Sequence, residues 1–221
     1  MTRARTLEQR VSLSRISDLS LLTAFMALEC ISLMQDSTLL VSGDSRLSWN
    51  SARGDSSKSS GGAILAVGSA EVRLNGTELF YNQAEDAGGG AIALLQDSRL
   101  ECDGVSFINN TARGNGGALL VGPALFQSQK SAVACSGNSL FEGNVAESEG
   151  GGGAIFSNRP IKFMPGGFSA VRRNIAHGMG GAILLSQCDL ILGSGHRIEA
   201  SYNKVNSCLV FGVSLCFMMM C

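Results

Sequence analysis

Phe107-Ile108-Asn109-Asn110-Thr111-Ala112, followed after Arg113-Gly114-Asn115 by Gly116-Gly117-Ala118-Leu119, is the stretch whose reading decides the fold. It holds two signatures: an apolar residue three positions before Asn-x-Ala, then Gly-Gly-Ala with Ile or Leu. The second recurs at Gly61-Gly62-Ala63-Ile64, Gly89-Gly90-Ala91-Ile92, Gly152-Gly153-Ala154-Ile155 and Gly180-Gly181-Ala182-Ile183, so that the alanines step by 28, 27, 36 and 28 residues. The first recurs at Asn50-Ser51-Ala52, Asn82-Gln83-Ala84, Asn144-Val145-Ala146 and Asn174-Ile175-Ala176, with a degenerate copy at Asn203-Lys204-Val205. Leu47, Leu79, Phe107, Phe141 and Val171 are the apolar residues ahead of these asparagines. Two motifs in phase at a fixed period are the signature of a repeat architecture.

Within one unit, 61–84, three short runs carry strand character: Ala63 to Val67, Glu71 to Leu74, and Thr77 to Tyr81. Gly68, Ser69, Asn75 and Gly76 punctuate them. Each run is too short for a helix. Three strands and three turns per unit predict an all-β fold, a single-stranded right-handed parallel β-helix (solenoid) of about six to seven coils with degenerate end coils. Coils stack at about 4.8 Å, the spacing of neighbouring strands. The repeat reaches back: Ile31 to Ser37 matches Ile92 to Ser98, and Leu19 to Ala24 parallels Leu47 to Ala52 with Leu22 in place of the asparagine. Residues 11–30 therefore read as a worn coil. The organisation expected is 1–30 as a degenerate N-terminal coil or cap, 31–205 as the β-helix repeat domain, and 206–221 as an apolar C-terminal tail or cap strand.

The motif residues have physical reasons. Glycine pairs at 61–62, 89–90, 116–117, 152–153 and 180–181 permit positive φ and close backbone approach at a corner. Asn50, Asn82, Asn110, Asn144, Asn174 and Asn203 are expected to stack as a ladder, each amide bonding its equivalent one coil away.

These motifs resemble the GGA[ILV] and FxxN repeats of the chlamydial polymorphic outer membrane proteins. The match is closest at Phe107 to Asn110 with Gly116 to Leu119, and at Phe141 to Asn144 with Gly152 to Ile155, and it covers about residues 31–205. The resemblance implies a pectin-lyase-like β-helix passenger, displayed at a cell surface or outer membrane and used in adhesion.

Composition narrows the remaining classes. The 221 residues are 45% hydrophobic and 16% charged, with 28 Gly, 3 Pro and a net charge of −1. Such a balance carries no electrostatic footprint for nucleic acid. The seven cysteines, Cys30, Cys102, Cys135, Cys188, Cys208, Cys216 and Cys221, contain no CxxC pair and are odd in number. Most read as small buried thiols. Cys102 and Cys135, eight and nine residues before Asn110 and Asn144, are expected to stack in adjacent coils as thiols rather than a bridge. The apolar stretch Leu19 to Leu28 follows a segment with Arg3, Arg5, Arg10, Arg15 and Asp18, unlike a clear signal peptide. The apolar run from Cys208 to Cys221 is too short to span a bilayer as a helix, which takes about 20 residues.

Polysaccharide lyases and hydrolases share the β-helix, and their chemistry needs convergent carboxylates or calcium ligands. The first run of each unit, at 61–67, 89–95, 116–122, 152–158 and 180–186, holds no Asp, Glu, His, Lys or Arg. The acids Glu85, Asp86, Asp97, Asp103, Glu147 and Glu149 read as solvated corners. Gly195-His196-Arg197-Ile198 lacks the companion Asp motifs of pectin hydrolases, His177 lies apart from it, and Arg53-Gly54-Asp55 sits at a corner where Arg113-Gly114-Asn115 recurs. No catalytic, metal or cofactor-binding residue is assigned. If Ile64, Ile92, Leu119, Ile155 and Ile183 point inward, then Leu65, Ala93, Leu120, Phe156 and Leu184 form an outward apolar stripe, a candidate contact surface unless the chain's own tail covers it. The function expected is a non-catalytic surface-type β-helix for adhesion, binding of a protein or glycan partner, or structural spacing. The alternatives are a polysaccharide-active enzyme of the same fold, or a fragment of a longer repeat protein.

Overall fold

The structure is a computed structural model and describes residues 10–14, 19–20, 23–24, 31–53, 61–124 and 132–206. In the coil 64–84, strands Ile64–Val67, Glu71–Asn75, Glu78–Phe80 and Gln83–Ala84 follow one another around the circuit. Equivalent strands of successive coils pair in parallel. Four sheets thus run the length of the stack, three of seven strands and one of six. Six four-stranded coils, 31–52, 64–84, 92–112, 119–146, 155–176 and 183–205, follow three strands of an earlier one. The result is a parallel β-solenoid of the right-handed type, the hand that parallel crossovers almost always take.

One correction concerns the circuit. Each coil has four strands, not three, because Asn-x-Ala ends in a two-residue strand such as Thr111–Ala112. Two residues cannot display an alternating pattern, so this strand carries no periodic signal.

Alternation within the longer strands places the core. Val72 and Leu74 of Glu71–Asn75 are buried, while Glu71, Arg73 and Asn75 are not. In the third sheet Leu47, Leu79, Phe107, Phe141 and Val171 stand in register, none more than 1% exposed. Phe107 and Phe141 stack with ring centroids 4.8 Å apart. Fully burying one such side chain stabilises by about 1.5–3 kcal/mol.

The double glycine divides two tasks. Gly89 has φ +75°, so it turns the corner where an L side chain is strained. Gly90 lies so close to the next coil that a β-carbon would meet the Gly117 carbonyl oxygen. The worn N-terminal coil pairs at the predicted register, Leu19 opposite Leu47 and Ala24 opposite Ala52. The apolar tail, 207–221, lies outside the described residues, as do Gly54 and Asp55.

A second correction concerns the cysteines. Cys102 and Cys135 face each other across adjacent strands with Cα atoms 4.5 Å apart and form a disulfide. They are buried, as small apolar side chains would be, but they are bonded. In-register parallel pairing brings the two side chains together in adjacent coils, as expected from their spacing to Asn110 and Asn144; the bond between them was not expected. The bridge closes a sequence separation of 33 residues. Replacing both cysteines by alanine is expected to lower unfolding free energy by about 3 kcal/mol, read as a lowered urea midpoint. An unchanged midpoint would show that the bridge contributes nothing to stability.

Candidate functional site

Six asparagines form a continuous column at the corner between the third and fourth sheets, five of them buried and Asn203 half-buried at its end. Asn110 is representative. Its Nδ2 donates to Asn144 Oδ1 at 3.1 Å and to the Leu79 carbonyl at 3.0 Å. Its Oδ1 accepts from the backbone N–H and Nδ2 of Asn82, both at 3.0 Å. The same pattern runs from Asn50 through Asn203. This explains the spacing in F-x-x-N: the carbonyl of the apolar residue receives the asparagine of the following coil. Asn50 Oδ1, at the N-terminal end of the column, is buried with no hydrogen-bond partner among the described residues.

The proposed stripe does face away from the main core, but it is not a free surface. Leu65, Ala93 and Leu120 are at most 8% exposed and form a second small cluster, with Phe156 packed against it. Leu184 is also buried. Gly88, in the corner loop, lies against Leu120: a β-carbon there would stand 2.9 Å from Leu120 Cδ2. The corner at Gly88 therefore packs against the stripe at Leu120, a contact that strand alternation alone does not reveal.

The corner acids do not converge. Glu85 pairs with Arg53 at 2.7 Å, and Asp86 with Arg113 at 3.6 Å. Asp103, Glu147 and Glu149 are exposed. His196 is buried, with Nδ1 2.8 Å from the Met164 carbonyl and Nε2 3.0 Å from the buried Ser169 hydroxyl. These contacts tie its ring to the core. Outward charges pair from coil to coil, as in Arg46 with Glu78 and Arg73 with Glu101. Hydrogen bonds from Arg172 and Arg173 hold the Glu142 carboxyl below its ordinary range.

Two features escaped the sequence reading. Arg159 is 4% exposed and donates to the Gly122 and Ser98 carbonyls at 3.0 and 2.9 Å, reaching two coils back. Burial pulls its pKa down to about 10, so it remains charged at neutral pH. The longer step between Ala118 and Ala154, with extra residues between Val121 and Val133, was its only trace. The second feature is the residue just before each ladder asparagine. Trp49, Tyr81, Asn109, Gly143, Arg173 and Tyr202 all have left-handed φ, at 59°, 54°, 52°, 66°, 57° and 55°. Glycine and asparagine sit there readily. A bulky side chain in that region costs about 1–2 kcal/mol.

A family model now bears on these coils: the Chlamydia polymorphic membrane protein repeat matches residues 104–122 and 138–158. Over these two segments the chain is similar to polymorphic membrane protein repeats. The two matched segments fall on neighbouring coils and contain the stacked Phe107 and Phe141, Asn110 and Asn144, and both double glycines. The repeat is thus the unit that supplies one core ring, one ladder amide and one close-approach corner per circuit. Among curated proteins and solved structures none matches the chain. Among the described residues no helix is long and apolar enough to cross a membrane.

Proposed function

We propose that this chain is a non-catalytic surface module, a stiff β-solenoid that presents rows of side chains to a protein or glycan partner. The observation that carries the reading is the coincidence of the polymorphic membrane protein repeat with coils locked by the asparagine column. A scaffold whose every circuit is hydrogen-bonded to the next holds outward side chains in fixed rows. The disulfide between adjacent coils agrees with display in an oxidising compartment, where such bonds persist.

The test has two parts. Beads coated with the full chain should adhere to cultured animal cells above the level of albumin-coated beads. Incubation with polygalacturonate, dextran or heparin should release no unsaturated or reducing ends. Equal adherence of the two bead types would overturn the binding role. Released ends that disappear on Asp86→Asn or Glu85→Gln would replace it with the enzymatic alternative.

A further inference from the structure

The corner that precedes the asparagine column carries an exposed row of large side chains, and its backbone is strained to do so. Successive strand pairings put Trp49, Tyr81, Asn109, Gly143, Arg173 and Tyr202 one above another. Five steps of about 4.8 Å make the row about 24 Å long. At the equivalent bend between the second and third sheets the chain uses glycine throughout: Gly43, Gly76, Gly104, Gly137, Gly166 and Gly195, all at positive φ. Here four of the six rungs instead hold Trp49, Tyr81, Arg173 and Tyr202, at φ values of 59°, 54°, 57° and 55°. Burial does not compensate the strain, because Trp49 is 54%, Tyr81 44% and Tyr202 73% exposed. Strain kept at exposed positions, where the return is limited to contacts along the surface such as the Trp49–Tyr81 stack and the Arg173–Glu142 pair, points to contact with something outside the chain.

The chemistry of the row suggests what that is. Trp49 and Tyr81 stack at 4.4 Å and present a broad apolar edge with polar N–H and O–H tips. At the far end, Arg173, Ile175, Tyr202 and Lys204 line a cavity of about 320 Å³. Arg172 and Arg173 share the single carboxylate of Glu142, so positive charge is left over, and Lys204 adds to it. Aromatic rings at both ends, surplus cation at one, and a straight equally spaced row between them suit an extended anionic polymer with apolar ring faces. We infer that this ridge binds an acidic polysaccharide, with sugar rings against Trp49, Tyr81 and Tyr202 and carboxylate or sulfate groups at Arg173 and Lys204. The inference rests on the surface-binding reading above and names the ligand class for it.

Trp49 is the single tryptophan of the chain, so its emission reports on the ridge directly. Titration of the full chain with polygalacturonate, and separately with heparin, should shift or quench that emission, less so at high salt. Neutral dextran should have little effect. Arg173→Gly and Tyr202→Asn should each weaken binding about tenfold, although both lie at the other end of the row from the reporter. Because they relieve left-handed strain, neither should lower the thermal midpoint, which separates lost binding from lost folding. Unchanged affinity in both variants would overturn the inference, as would an equal response to dextran or a stronger one to oligodeoxythymidylate. If coated beads adhere to cells while neither acidic polysaccharide alters the emission, the ridge assignment fails and the binding module stands. If adherence survives glycosidase treatment of the cells but not protease treatment, the partner is a protein and the assignment again fails. If neither beads nor polysaccharides bind, both readings fall.

Discussion

Gly90→Ala is expected to destabilise the stack by about 5 kcal/mol, near the limit seen for single substitutions. The new β-carbon would meet the Gly117 carbonyl oxygen and stand 2.7 Å from the backbone N and C of Thr111. None of these atoms can retreat cheaply. Gly90 N–H donates to the Gly116 carbonyl at 3.2 Å, and Thr111 N–H to the Asn82 carbonyl at 2.9 Å, so moving one coil away breaks the pairing of both. Gly104 supplies the control. It has φ +60° but nothing within 4 Å of its would-be β-carbon, so Gly104→Ala should cost only about 1 kcal/mol of backbone strain. Urea denaturation followed by far-ultraviolet circular dichroism measures both. Similar midpoints for the two variants would show that close approach at Gly90 is not what the double glycine provides.

Asn110→Ala should cost about 4 kcal/mol, because four buried groups lose a partner at about 1–3 kcal/mol each, the mildest being Asn144 Oδ1, which keeps the Asn110 backbone N–H. The Asn82 backbone N–H and Nδ2 lose their shared acceptor, and the Leu79 carbonyl loses its donor. Asn110→Asp should be no milder. A carboxylate would set an oxygen against Asn144 Oδ1 and the Leu79 carbonyl, where a donor is required. Asn109→Gly is the neighbouring control: that residue is half-buried, outside the column and at φ +52°, which glycine adopts without strain, so its loss should stay within about 1 kcal/mol. In a stack where each coil touches only its neighbours, the damage should be local. Hydrogen exchange should quicken in coils 64–84 and 92–112 before it does in 155–176. Uniform acceleration, or none, would contradict a ladder that acts between adjacent circuits.

The repeat made most of the scaffold legible before any coordinates. The spacing of Phe107 to Asn110 to Gly116 is set by short-range requirements: an apolar side chain inward, an amide at the bend, a residue without a β-carbon where backbones touch. Since each coil repeats those requirements, their period appears directly in the chain. The fourth strand was hidden because Thr111–Ala112 is too short to alternate. Whether the outward stripe is a contact surface or is covered was left open by the sequence, because burial of Leu65 and Leu120 depends on chain outside the strands, such as the corner at Gly88 beside Leu120.

What the sequence by itself determined is the solenoid: parallel coils, the ring of core residues, the asparagine column and the glycine corners, all consequences of local geometry repeated at one period. What only the tertiary structure decided are contacts between residues with no common motif. Cys102 is bonded to Cys135 because two strands pair in close register, Arg159 reaches the Ser98 carbonyl two coils back, and Trp49, Tyr81, Arg173 and Tyr202 form a row because their coils stack. Side chains that differ from coil to coil leave no periodic trace, so their neighbours become known only when the circuits are laid one upon another.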